Sequence, residues 1–166
     1  MLDQVFHLAH DFIATWEKAT LASARVDPLL PPLNVSQLLL TIETGTDNLK
    51  CGPVLVTASK LVDGVSVPIS PPTWITHGLS PHSTFLLPVQ IVSNTSLRDV
   101  YKIRFQYPNN QCDPFDTGDT WNIKTLKVTY NIATATGPVQ GVLMHKRGAP
   151  AKKLARGSSW TVYTER

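Results

Sequence analysis

Three aspartates, Asp113, Asp116 and Asp119, stand three residues apart in the stretch "CDPFDTGDTW", and Asp47 and Asn48 lie in a second polar stretch. Carboxylate and amide oxygens are the hard ligands that calcium takes, so two such loops meeting at one end of a fold would form a metal-binding rim. The spacing is not that of an EF-hand, whose loop fixes its ligands over twelve residues. A different chemistry is offered by "SPPTWITHGLSPHS", where Trp74, His77 and His82 stand among prolines and an indole could stack on a sugar face or enter a partner. Trp121 follows the last aspartate and opens an alternating run. An indole there either closes the end of a core or stacks on a ligand, and burying it would contribute about 2–3 kcal/mol. Finally, His145, Lys146, Arg147, Lys152, Lys153 and Arg156 form a basic run that would attract phosphate, anionic lipid or acidic polysaccharide.

Signatures of catalysis do not accompany these groups. "HLAHD" places His7 and His10 three apart, without the glutamate and the four-residue spacing of a zinc helix. The sequence has no nucleophile elbow, P-loop or Cys–His protease pattern. Cys51 and Cys112 lack the second ligand pair that a zinc site needs. They can form one disulfide in an oxidising compartment or stay as thiols in a reducing one. RRM, KH and zinc-finger signatures are absent, so the basic run implies no specific nucleic-acid recognition. The chain is predicted not to be an enzyme.

The elements that must position these residues follow from periodicity. Residues 2–25 carry Leu2, Val5, Phe6, Ala9, Phe12, Ile13, Trp16 and Ala19 at three- and four-residue spacing, which predicts an amphipathic helix over 1–27. Its polar face is acidic, unlike that of a membrane-surface helix. "DPLLPPLNVS" reads as a proline-stiffened linker over 28–36. From residue 37 the period falls to two. "SQLLLTIET", "VLVTASKL", "STFLLPVQIV", "VYKIRFQY", "NIKTLKVTYNI", "GVLMH" and "SSWTVYT" predict about eight short strands without intervening helices, an all-β antiparallel sandwich over 37–166. Alternation sets Val128, Tyr130 and Ile132 on one face, with Thr129 and Asn131 on the other.

Composition agrees with this class. The 166 residues suit one domain with an attached element, and 42% hydrophobic content is enough for a core. Residues 120–166 hold eight basic side chains and one acidic one, so the net charge of +3 conceals an acidic first part and a strongly basic end. No apolar run is long enough to span a bilayer, and no signal peptide is visible. Asn34 and Asn94 open glycosylation sequons, meaningful only in a eukaryotic secretory pathway.

Taken in order, "LLLTIETGTDNLKCG", "STFLLPVQ", "LRDVYKIRFQYPNN" and "DTWNIKTLKVTY" resemble the PLAT domain and its secreted lectin-like relatives. The tail "VLMHKRGAPAKKLARGSSWTVYT" also resembles the final hairpin of those relatives. The resemblance implies a secreted or cell-surface module that binds a glycan, a lipid surface or a protein, in some members with calcium held by end loops. On this reading the ligand-binding residues are Trp74, His77, Trp121, Lys146, Arg147, Lys152 and Lys153. The metal ligands are Asp47, Asn48, Asp113, Asp116 and Asp119. Two alternatives stay open: an assembly subunit that self-associates through residues 2–25, and the C-terminal accessory part of a larger secreted hydrolase.

Overall fold

Alternation over "QLLLTIET" puts Leu38, Leu40, Ile42 and Thr44 in the interior, with half-exposed residues between them. This is strand β1 (Gln37–Thr44), a central strand, in the computed structural model, which describes residues 33–49, 53–76, 78–92, 95–109, 120–134 and 137–164. Eight more strands follow: β2 (Val54–Val62), β3 (Val65–Pro68), β4 (Thr73–Ile75), β5 (Thr84–Gln90), β6 (Lys102–Gln106), β7 (Thr120–Thr134), β8 (Gly137–Ala155) and β9 (Ser159–Tyr163). They form two antiparallel sheets. One has the order β5-β1-β7-β8; the other runs β3-β2-β6-β9, with β4 on β2 as well. The predicted helix over 1–27 and the linker residues 28–32 lie outside the described residues.

Inward-facing residues of both sheets meet in one apolar core. Leu38, Leu40, Ile42, Trp121, Leu126 and Val128 come from the first sheet; Val54, Val56, Ile103, Phe105 and Val162 come from the second. Each inward side chain of this size contributes about 1.5–3 kcal/mol through apolar burial. The alternation read for β7 holds at Val128 and Ile132, which are buried, and at Asn131, which is exposed. Thr129 is also buried despite its outward register, and its hydroxyl donates to the Leu39 carbonyl at 3.3 Å.

Two expectations need correction. The "SPPTWITHGLSPH" stretch is not all loop, because Thr73–Ile75 pairs with Val54–Val56. β3 escaped the sequence reading as well. Its signal is the Asp63-Gly64 pair between apolar runs; both residues take positive φ, 49° and 79°, as a two-residue hairpin of the primed type requires. The tail is not a closing hairpin either. β8 stays on β7 for nearly its whole length, and β9 crosses to the other sheet and pairs with β6. The glycine and proline of "RGAPA" read as turn residues but produce a four-residue excursion, 148–151, within one long strand. Lys152 pairs with Ile123 on one side of it and Arg147 with Thr125 on the other.

Candidate functional site

The basic run occupies an edge. Among the described residues β8 has a strand partner on one side only, and its register sets His145 opposite Lys127, Lys146 opposite Leu126 and Arg147 opposite Thr125. Directly opposed residues share a face. His145 and Arg147 therefore lie with Lys127 and Thr125 on the outer face, while Lys146 shares the inward side with Met144. Beyond the excursion, Lys152 is opposite Ile123 and Lys153 opposite Asn122. Charged residues along an unpaired strand also discourage edge-to-edge association.

His145 is drawn into this cationic row. Arg147 Nε donates to His145 Nε2 at 2.9 Å, which requires that nitrogen to be unprotonated. Desolvation is the main reason its pKa lies below the ordinary 6.5, and the charges of Arg147 and Lys127 add to the effect. The folded state therefore resists protonating His145 more than the unfolded chain does. Its contribution to stability is present above pH 6.5 and is lost as the pH falls below that value.

Across the open edge of the sandwich β8 faces β9. A groove of about 440 Å³ is lined there by Lys146, Arg147 and Ala151 of β8 and by Trp160, Thr161 and Tyr163 of β9. Trp160 is held from behind by Phe105, the two rings stacked at 5.5 Å. Tyr163 meets Tyr101 edge to face at 5.2 Å and is 52% exposed. The groove thus gathers two cationic residues, two aromatic residues and threonine hydroxyls at one edge, with Lys146 and Trp160 on the inward side of their strands and Arg147 and Tyr163 on the outer side. Neither aromatic was singled out from sequence, because nothing in "SSWTVYT" shows that β9 lies beside the basic strand.

The other predicted residues that are described do not line this groove. Trp121 is a correction: it is 0% exposed, so it offers no face to a ligand and acts as the core-closing residue opposite Leu154. Trp74 is 45% exposed on β4, opposite Leu55. Asp47 lies in the loop after β1, where its Oδ1 accepts from the Asn48 backbone N–H at 3.1 Å. Asp113, Asp116, Asp119, His77, Cys51, Cys112 and Asn94 lie outside the described residues. Among the described residues no three His, Cys, Asp or Glu side chains are grouped to hold a metal ion. Asp47 and Asn48 alone do not supply the six or more oxygens that calcium takes. No helix among the described residues is long and apolar enough to cross a membrane. No protein-family model matches the sequence, and a comparison with curated proteins finds no match.

Proposed function

We propose that this chain is a non-catalytic recognition module, a PLAT-like, lectin-like β-sandwich of the secreted or cell-surface kind that binds an anionic surface ligand. The observation that carries this reading is the β8–β9 groove, whose lining includes Lys146 and Arg147 of β8 and Trp160 and Tyr163 of β9. Cations on a strand edge attract a negatively charged polymer over distances near the Debye length, and the aromatic residues add short-range contact. Acidic polysaccharide fits this combination. The test is titration with a sulfated dextran and with neutral dextran of equal length. Tight, salt-sensitive binding of the sulfated polymer alone is expected; equal or absent binding of both would sink the reading.

A pH dependence follows. A bound anion favours protonated His145, opposing the neighbours that hold its pKa down. Binding is therefore expected to strengthen as the pH falls below 6.5, and His145→Gln to remove most of that gain, as read by calorimetric titration at fixed ionic strength. The calcium-assisted form of the reading rests on Asp47, Asn48 and the three aspartates outside the described residues. It predicts that a micromolar site stabilises the fold by about 4 kcal/mol in millimolar calcium relative to EGTA. An unchanged melt would leave Asp47 in its local bond to Asn48.

A second reading, the assembly subunit, draws support from the β2–β3 hairpin. Leu61, Val62, Val65 and Val67 are all exposed there, and among the described residues β3 is an edge strand. Light scattering at micromolar concentration separates the two readings, since an assembly subunit would not remain monomeric.

A further inference from the structure

Several departures from regular structure converge on one small cavity, away from the basic groove. The first is the excursion of β8. Gly148, at its start, has no room for a side chain, because a Cβ there would lie 2.7 Å from the Cα and N of Ala151. The second is Lys124, which stands in a register shift on both sides of β7. Thr125 pairs with Glu43 and Arg147, Ile123 pairs with Thr44 and Lys152, and Lys124 is left out of both ladders. Bulged residues of this kind re-aim a side chain. The third is His82, whose φ of 58° lies in the left-handed region, uncommon for a residue with a β-carbon. Pairing of β1 with β7 is regular from Gln37 to Glu43, while β7 and β8 shift register once more between Val128 and Thr129, away from the cavity. Local irregularities that the scaffold does not need are a mark of functional sites.

All three meet at a cavity of about 250 Å³, lined by Thr46, His82, Asn122, Lys124, Ala149 and Pro150. Backbone bonds tie its walls together: Gly45 N–H donates to the Asn122 carbonyl at 2.7 Å, and His82 N–H donates to the Gly45 carbonyl at 3.0 Å. The charges on this side are balanced. Lys124 Nζ reaches Glu43 Oε1 at 2.7 Å, and the Thr125 hydroxyl donates to Glu43 Oε2 at 2.9 Å. Those bonds hold the Glu43 carboxyl below its ordinary pKa of 4.5, so it remains ionised against Lys124. A site balanced in this way makes no net demand for an ion. Its lining is mostly apolar, with Ala149 and Pro150 beside a few polar residues: His82, Lys124, and the pair Asn122 and Thr46, whose amide donates to the Thr46 hydroxyl at 3.4 Å. Its volume is below the roughly 300–1,000 Å³ of pockets for larger ligands, which suits one small unit.

We infer that this cavity binds a single neutral pyranose ring, with the C–H face against Ala149 and Pro150 and the hydroxyl edge toward Thr46, His82, Asn122 and Lys124. The inference does not rest on the anionic groove, with which the cavity shares no lining residue.

Saturation-transfer NMR with the methyl glycosides of glucose, galactose, mannose and N-acetylglucosamine tests it on the whole chain. At least one glycoside is expected to bind the unaltered protein. His82→Gly removes the imidazole while relieving the left-handed conformation. It is expected to melt no lower than the parent yet to lose affinity about fivefold or more. Lys124→Ala is expected to weaken the same glycoside, whereas Lys146→Glu with Arg147→Glu leaves it unchanged. The inference is overturned if no glycoside binds the parent, if His82→Gly binds as well as the parent, or if the double charge reversal abolishes glycoside binding.

Discussion

Trp121→Ala is expected to lower the free energy of unfolding by about 3–5 kcal/mol, the range for removing a large aromatic from a core. Trp121 is the largest of the fully buried side chains, and it sits where β7 begins, opposite Leu154 of β8. The strands on either side are held by their ladders, so the cavity left by the indole collapses only in part. Trp121→Phe separates packing from polarity. The indole Nε1 is buried without an acceptor among the described residues, so phenylalanine sacrifices volume but no hydrogen bond to any of them. Its cost is expected to be clearly smaller than that of alanine, because the phenyl ring fills much of the space the indole leaves. Urea unfolding followed by circular dichroism measures both. A domain with a typical stability of about 5–15 kcal/mol would lose a large share to the alanine variant. Equal losses for alanine and phenylalanine would mean that the N–H carries the effect, and a small loss for alanine would remove Trp121 from the core-closing role.

Period-two alternation made most of the fold legible because each main strand has one face on the core. β1 is the clearest case, with every second residue buried from Leu38 to Thr44. β3 was not legible by that rule, since all four of its residues are exposed and burial imposes no pattern on them. Only its Asp63-Gly64 turn gave it away. The long β8 was hidden for a different reason. Gly148 and Pro150 carry turn chemistry, yet pairing with the fifteen-residue β7 resumes beyond them, so tertiary pairing overrides the local signal. The candidate sites divide in the same way. The basic residues could be read as a run because they are neighbours in sequence. Their aromatic neighbours could not, because Trp160 and Tyr163 reach Lys146 only through the adjacency of edge strands from two sheets. The cavity was least legible. His82, Lys124 and Pro150 are tens of residues apart, and the register shift that frees Lys124 exists only once three strands are paired.

Charge reversal in the groove, Lys146→Glu with Arg147→Glu, is expected to weaken sulfated-polymer binding roughly a hundredfold at low salt, given the coupling measured for close charge pairs. Two attractive contacts become two repulsive ones, in a groove that concentrates the field between β8 and β9. The salt dependence is the sharper readout. Each contact that releases a condensed counterion contributes nearly one unit to the slope of log K against log salt in the nucleic-acid case. The double variant should therefore flatten the slope by about two units. Lys60→Glu changes the same net charge by a smaller amount on β2, outside the groove lining, and should alter affinity only through the long-range field. Tyr163→Ala completes the comparison because it removes exposed aromatic surface and no charge. It should weaken a sulfated polysaccharide severalfold and leave the slope unchanged, since stacking releases no counterions. If Lys60→Glu weakens binding as much as the double variant, net charge alone is responsible and the groove is not the site. If the double variant acts strongly and Tyr163→Ala does nothing, the edge of β8 binds anions without the aromatic residues, and the preference for polysaccharide over other polyanions falls.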